Sequence, residues 1–174
     1  MNLISASVAR KREDHAREFS QAEPFHHVVI DDFFDADFCR RLARDFPKFE
    51  ERHALNEMGQ VGGKAVRMDV RDVSDAYREL DQYLQTPEFL DFVSEVTGIP
   101  DLLYDPDYVG GGTHENRHGQ GLDAHVDFNF HPRTQWHRRL NLIVYLNDEW
   151  ESAWGGELEL HSDPWDAASN QTTH

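Results

Sequence analysis

Gly119-Gln-Gly-Leu-Asp-Ala-His-Val-Asp-Phe-Asn129 places a histidine and an aspartate two residues apart, His125 and Asp127. The run from Leu122 to Phe130 alternates apolar and polar residues and reads as a strand. In a strand, residues i and i+2 face the same side. One imidazole nitrogen and one carboxylate oxygen then converge on a single ion. These are two members of the 2-His-1-carboxylate set that holds non-haem Fe(II) and leaves coordination positions open. A bare His-x-Asp recurs by chance, so its meaning rests on its neighbours.

Downstream, Arg139-Leu-Asn-Leu-Ile-Val-Tyr-Leu-Asn147 is the most strand-like stretch of the chain. A polar turn over 147–156 ends in Gly155-Gly156, and Glu157-Leu-Glu-Leu-His161 alternates strictly, as a half-buried strand does. Upstream, Leu102 to Val109 reads as a strand and Gly110-Gly-Gly112 as a turn or bulge. No Lys-Ser/Thr pair follows these glycines, which excludes a phosphate loop. His114, His118, His131 and His137 read as surface residues, and Arg138-Arg139 as an exposed pair. Trp150 and Trp154 read as packing residues.

The N-terminal half is helical in pattern. Pro24-Phe-His-His-Val-Val-Ile30 is a short β-branched run, expected as a strand. Asp35 or Asp37 starts a helix whose Phe38, Leu42 and Phe46 form one stripe, and Pro47 ends it. Cys39 sits beside that stripe as a core thiol. Ala65 to Val70 follows a glycine-containing loop as a short strand. Ser74 caps a helix running through Gln85 with Tyr77, Leu80 and Leu84 on one face. Thr86-Pro87 opens the next helix, and Gly98 closes it. Helices first and strands afterwards predict an α+β domain, a β-sandwich or jelly roll braced by N-terminal helices. The chain reads as a single domain, 1–174: a polar lead-in over 1–23, strand and helical support over 24–100, and a jelly-roll core over 101–174.

Composition narrows the function. The 174 residues carry 33 acidic and 17 basic side chains, a formal net charge of −16. Nucleic-acid binding needs a basic surface, so it is excluded, and an anionic membrane surface is disfavoured for the same reason. With Cys39 alone, no internal disulfide forms. There is no signal-like apolar segment and no membrane-length apolar run, so a cytoplasmic location is expected.

Taken together, His125-Val-Asp127, Arg139 to Asn147 and Trp154-Gly-Gly-Glu-Leu-Glu-Leu160 resemble the Fe(II)/2-oxoglutarate-dependent dioxygenases of the prolyl-4-hydroxylase-like group. Phe25-His-His-Val-Val-Ile-Asp-Asp-Phe-Phe34 resembles their usual opening. The resemblance covers most of 24–161. It implies a double-stranded β-helix (jelly roll) with Fe(II) at one mouth, bound by His125 and Asp127. It also implies 2-oxoglutarate as co-substrate, released as succinate and CO2 while a substrate C–H bond is hydroxylated. Ascorbate is a further cofactor the resemblance brings. Tyr145 matches the tyrosine that in some relatives donates to the far carboxylate of 2-oxoglutarate, and Tyr108 is a second pocket candidate. Asp127 disfavours chlorination, because halogenases of the group carry a small residue there. The implied substrate is an amino-acid side chain, prolyl included, presented by a peptide, or a small metabolite.

The resemblance stops short of one feature. The family carries a distal histidine on a late strand and then an Arg or Lys that pairs with 2-oxoglutarate. His161 and His174 are the remaining histidines, and neither sits where the family places that ligand. The chain reads as truncated before those strands, with a jelly roll incomplete at its C-terminus. A second class, a non-catalytic jelly-roll module or remnant that binds a ligand, follows from that gap. Unpaired sheet edges invite association. A thermal midpoint below about 60 °C or a self-associated species is therefore expected, read by thermal melt and size-exclusion chromatography.

Overall fold

The structure is a computed structural model that describes residues 2–56, 58–163 and 165–173. Helices α1 (Ala6–Arg10), α2 (Arg12–Gln21) and α3 (Ala36–Arg44) form the first half, with α4 (Asp75–Leu84) and α5 (Pro87–Thr97). The sheets among the described residues are two antiparallel ribbons. In one, β1 (Lys64–Arg67) pairs with β2 (Thr113–Asn116); in the other, β3 (Glu159–His161) pairs with β4 (Asn170–Thr173). No described helix is long and apolar enough to cross a membrane.

Three helices, α3, α4 and α5, begin where a side chain caps them. Asp35 accepts from the Asp37 and Phe38 amides, Ser74 from Tyr77 and Thr86 from Phe89, so each cap satisfies amides the helix leaves free. Pro87 occupies the first turn of α5, where a missing N–H costs nothing. Phe38 and Leu42 of α3 are buried against Phe34, and Phe33, Phe34, Phe38 and Phe92 meet edge to face. The lead-in belongs to this core: Leu3, Ile4, Val8 and Phe19 are buried and α2 packs on α5.

Tertiary pairing overturns several expected strands. Pro24 to Ile30 runs without ladder partners, with Val28 and Ile30 half-buried against the helical core. Leu102 to Val109 is a turn: the Asp105 carboxylate accepts from the Asp107 amide (2.9 Å) and the Val109 amide (3.0 Å), which bends the backbone. Leu122 to Phe130 and Arg139 to Asn147 form no ladder beyond the isolated Phe130–His137 bridge. The described residues therefore show a mixed α/β architecture with small antiparallel sheets rather than the double-stranded β-helix. A strand is held by its neighbour's carbonyls and amides, and alternation alone supplies none of these. Leu142, Ile143 and Tyr145 are left about half exposed.

The glycine run follows from packing against β1. Gly112 has φ +98°, and a Cβ there would collide with the Arg67 carbonyl oxygen. Gly110 has φ +73°, and a Cβ would lie 3.0 Å from Phe128 Cε1 and 3.4 Å from Arg138 Nη1. The turn is thereby pressed between β1 and the segment that carries Asp127.

Truncating Phe34→Ala removes the ring at the centre of the aromatic cluster. The expected loss is about 3–5 kcal/mol of unfolding free energy, read from denaturant titration monitored by circular dichroism.

Candidate metal centre

His125 and Asp127 approach each other although the segment from Leu122 to Phe130 forms no ladder. His125 Nε2 lies 3.7 Å from Asp127 Oδ1. Two atoms bonded to one ion at about 2.0–2.2 Å stand at most about 4.4 Å apart, so this spacing admits a shared ion. His125 Nδ1 is 2.7 Å from the Asp123 carbonyl oxygen. A carbonyl only accepts, so Nδ1 carries the proton and Nε2 keeps its lone pair in the neutral ring. Metal-binding histidines are fixed by this kind of donation from the second nitrogen. Imidazole and carboxylate are also the donor types that suit Fe(II). Both side chains are about half exposed. They lie at the surface, not within a barrel, and the clefts lined by 20–26 and by Pro47 to Glu115 include neither.

Asp127 is anchored from its other oxygen. Asn141 Nδ2 donates to Asp127 Oδ2 at 2.8 Å, and Arg138 Nη2 stands 3.2 Å from the same atom. The Arg138 amide donates to the Asn129 carbonyl at 2.8 Å, and His131 N to Trp136 O at 2.8 Å. These bonds close a turn that returns residues 138–141 beside Asp127. The pairing of Asn141 and Arg138 with Asp127 escaped the sequence reading, which placed Arg138 in an exposed pair. The three are separated in sequence by a turn whose path is visible only in the fold.

The other expected site residues are elsewhere. Tyr108 lies in the helical core's margin, with φ +50°, and its hydroxyl donates to Asp81 Oδ1 at 3.1 Å. Tyr104 donates to the same oxygen, while Arg71 Nε and Gln85 Nε2 reach Asp81 Oδ2 at 2.9 Å. Burial pushes the Tyr104 phenol up to about 12 and raises Tyr108 further. Tyr145 is 59 % exposed on the unpaired segment, and partial burial raises its phenol. His161 Nε2 lies 3.0 Å from Glu159 Oε2 on β3, and His174 lies outside the described residues. Among the described residues no third metal-ligating group joins His125 and Asp127.

A second cluster gathers Asp105, Asp107 and His131. His131 was expected at the surface but is 5 % exposed. Its Nε2 lies 3.5 Å from Asp105 Oδ1 and 3.8 Å from Asp107 Oδ2. Its Nδ1 accepts from the Arg133 amide (3.2 Å) and the Thr134 amide (3.0 Å). Two donors on Nδ1 require the proton on Nε2, so that nitrogen, which is buried and makes no hydrogen bond, has no lone pair to offer a metal. Arg133 pairs with Asp107, and two backbone amides occupy Asp105. The cluster pins a turn. The two histidines thus differ in which nitrogen is free, and only His125 offers Nε2.

Mn(II) titration followed by electron paramagnetic resonance separates the two sites. Asp127→Ala is expected to weaken binding more than tenfold, while Asp107→Asn leaves it unchanged.

Comparison with known proteins adds one match. Residues 111–173 match the family model described as the 2OG-Fe(II) oxygenase superfamily. No curated protein and no solved structure matches the chain. The matched segment contains His125, Asp127, Arg138, Asn141 and Tyr145, and it supports an oxygenase reading of this part of the chain.

Proposed function

We propose that the protein is an Fe(II)- and 2-oxoglutarate-dependent dioxygenase that hydroxylates an amino-acid side chain, in the manner of prolyl hydroxylases, or a small metabolite. The observation that carries the reading is the 3.7 Å approach of His125 Nε2 to Asp127 Oδ1 within the segment that matches the oxygenase family. The match supports iron and 2-oxoglutarate as a class; the substrate is proposed on the sequence resemblance.

In this reading His125 and Asp127 hold the metal. The bound iron supplies Lewis acidity and the one-electron chemistry that O2 requires. The chain's own residues aim that chemistry. The Asp123 carbonyl holds the His125 ring with Nε2 outward, and Asn141 and Arg138 hold the far side of Asp127. Two protein ligands on an octahedral ion leave room for a further ligand, a bidentate 2-oxo acid and O2. By the sequence resemblance, Tyr145 would donate its phenolic hydrogen to the far carboxylate of 2-oxoglutarate. A tyrosine phenol carries that hydrogen at neutral pH. The net charge of −16 fits a peptidyl substrate of basic character as readily as a neutral metabolite.

Succinate formation and O2 uptake with Fe(II) and 2-oxoglutarate test the reading. Both are expected to be lost in Asp127→Ala and His125→Ala, and equal turnover in wild type and Asp127→Ala would end it. Tyr145→Phe removes one hydrogen bond to a charged group. The expected cost is about 1.5–3 kcal/mol, a rise of roughly ten- to a hundredfold in the half-saturating 2-oxoglutarate concentration.

A further inference from the structure

We propose that Asn141 and Arg138 are positioning residues that hold Asp127 as a one-oxygen ligand, capping Oδ2 so that only Oδ1 is offered to the ion. The inference rests on the reading of His125 and Asp127 as the metal pair.

The geometry is directional. Asn141 Nδ2 donates to Asp127 Oδ2 at 2.8 Å, while Asn141 Oδ1 accepts from Arg138 Nε at 2.9 Å and from Arg138 Nη2. A carboxylate only accepts and a guanidinium only donates, so the amide satisfies both in one orientation alone. Asn141 is therefore locked between two charges, and Arg138 Nη2 adds its own approach to Oδ2 at 3.2 Å. Asp127 Oδ1 faces the opposite way, toward His125 Nε2.

Arg138 is itself held from below. Its guanidinium lies 4.5 Å over the Phe128 ring, a cation–π contact, and Nη1 is enclosed beside Gly110. The Gly110 turn thus acquires a role the sequence did not disclose: it leaves the space in which Phe128 and Arg138 stack. The chemical consequence concerns coordination. A carboxylate free to bind through both oxygens would take a position that a bidentate 2-oxo acid and O2 need. Capping Oδ2 keeps that position open.

Metal binding by the full chain tests the proposal without turnover. Wild type, His125→Ala, Asn141→Leu, Arg138→Met and Arg138→Lys are titrated with Mn(II) by electron paramagnetic resonance and with Co(II) by visible absorption. Folding is followed by circular dichroism. Asn141→Leu is expected to weaken Mn(II) binding about ten- to a hundredfold and to alter the Co(II) d–d bands, which report coordination. Arg138→Lys is expected to retain more affinity than Arg138→Met. Wild-type affinity and an unchanged Co(II) spectrum in folded Asn141→Leu would overturn the proposal, and the same result in Arg138→Met would do so should the leucine variant not fold. Wild-type binding by His125→Ala would instead overturn the metal pair itself, so the two failures are distinct.

Discussion

One buried carboxylate ties the helical half of this protein to the segment that bears the candidate ligands. Asp81 is 2 % exposed and receives Tyr104, Tyr108, Arg71 and Gln85. A charge so enclosed survives only when its oxygens are hydrogen-bonded and a counter-charge is near. Here two phenols, an amide and a guanidinium meet both demands. Satisfying Asp81 draws the chain after α5 back onto α4 and fixes the 104–108 turn. Gly110 follows, and against it lie Phe128 and Arg138, and through Arg138 the carboxylate of Asp127.

That sequence of contacts accounts for the division of the molecule. The helices pack around an aromatic cluster that owes its stability to burial, and the N-termini of α3, α4 and α5 are capped by side chains within three residues. The segment bearing the candidate ligands has few ladder bonds of its own. It is positioned instead by turns, by the Arg138 amide on Asn129, and by side chains that reach back to Asp127. Support by side-chain contact suits ligands near a surface, since it fixes one carboxylate without enclosing it.

The two histidine–aspartate clusters show how little composition says about a metal site. Asp105, Asp107 and His131 gather three metal-ligating side chains, yet the His131 ring accepts where a metal-bound ring would donate. His125 offers two residues' worth of chemistry with the proton on the useful side. The tautomer enforced by the backbone separates them, and it is invisible until the backbone is placed.

The sequence by itself determined the local features: the caps at Ser74 and Thr86, a helix start at Asp35 or Asp37, the stripe of Phe38 and Leu42, the stop at Gly98, and the His-x-Asp pair. Each depends on residues within a turn or two, where spacing is geometry. Tertiary structure decided the rest. Whether Leu122 to Phe130 and Arg139 to Asn147 become strands depends on distant backbone partners, which alternation cannot supply. That β2 pairs with β1, that Tyr108 turns to Asp81, and that Arg138 and Asn141 reach Asp127 are encounters across 10 or more residues. Such encounters are set by which surfaces the core brings together, and no short stretch records them.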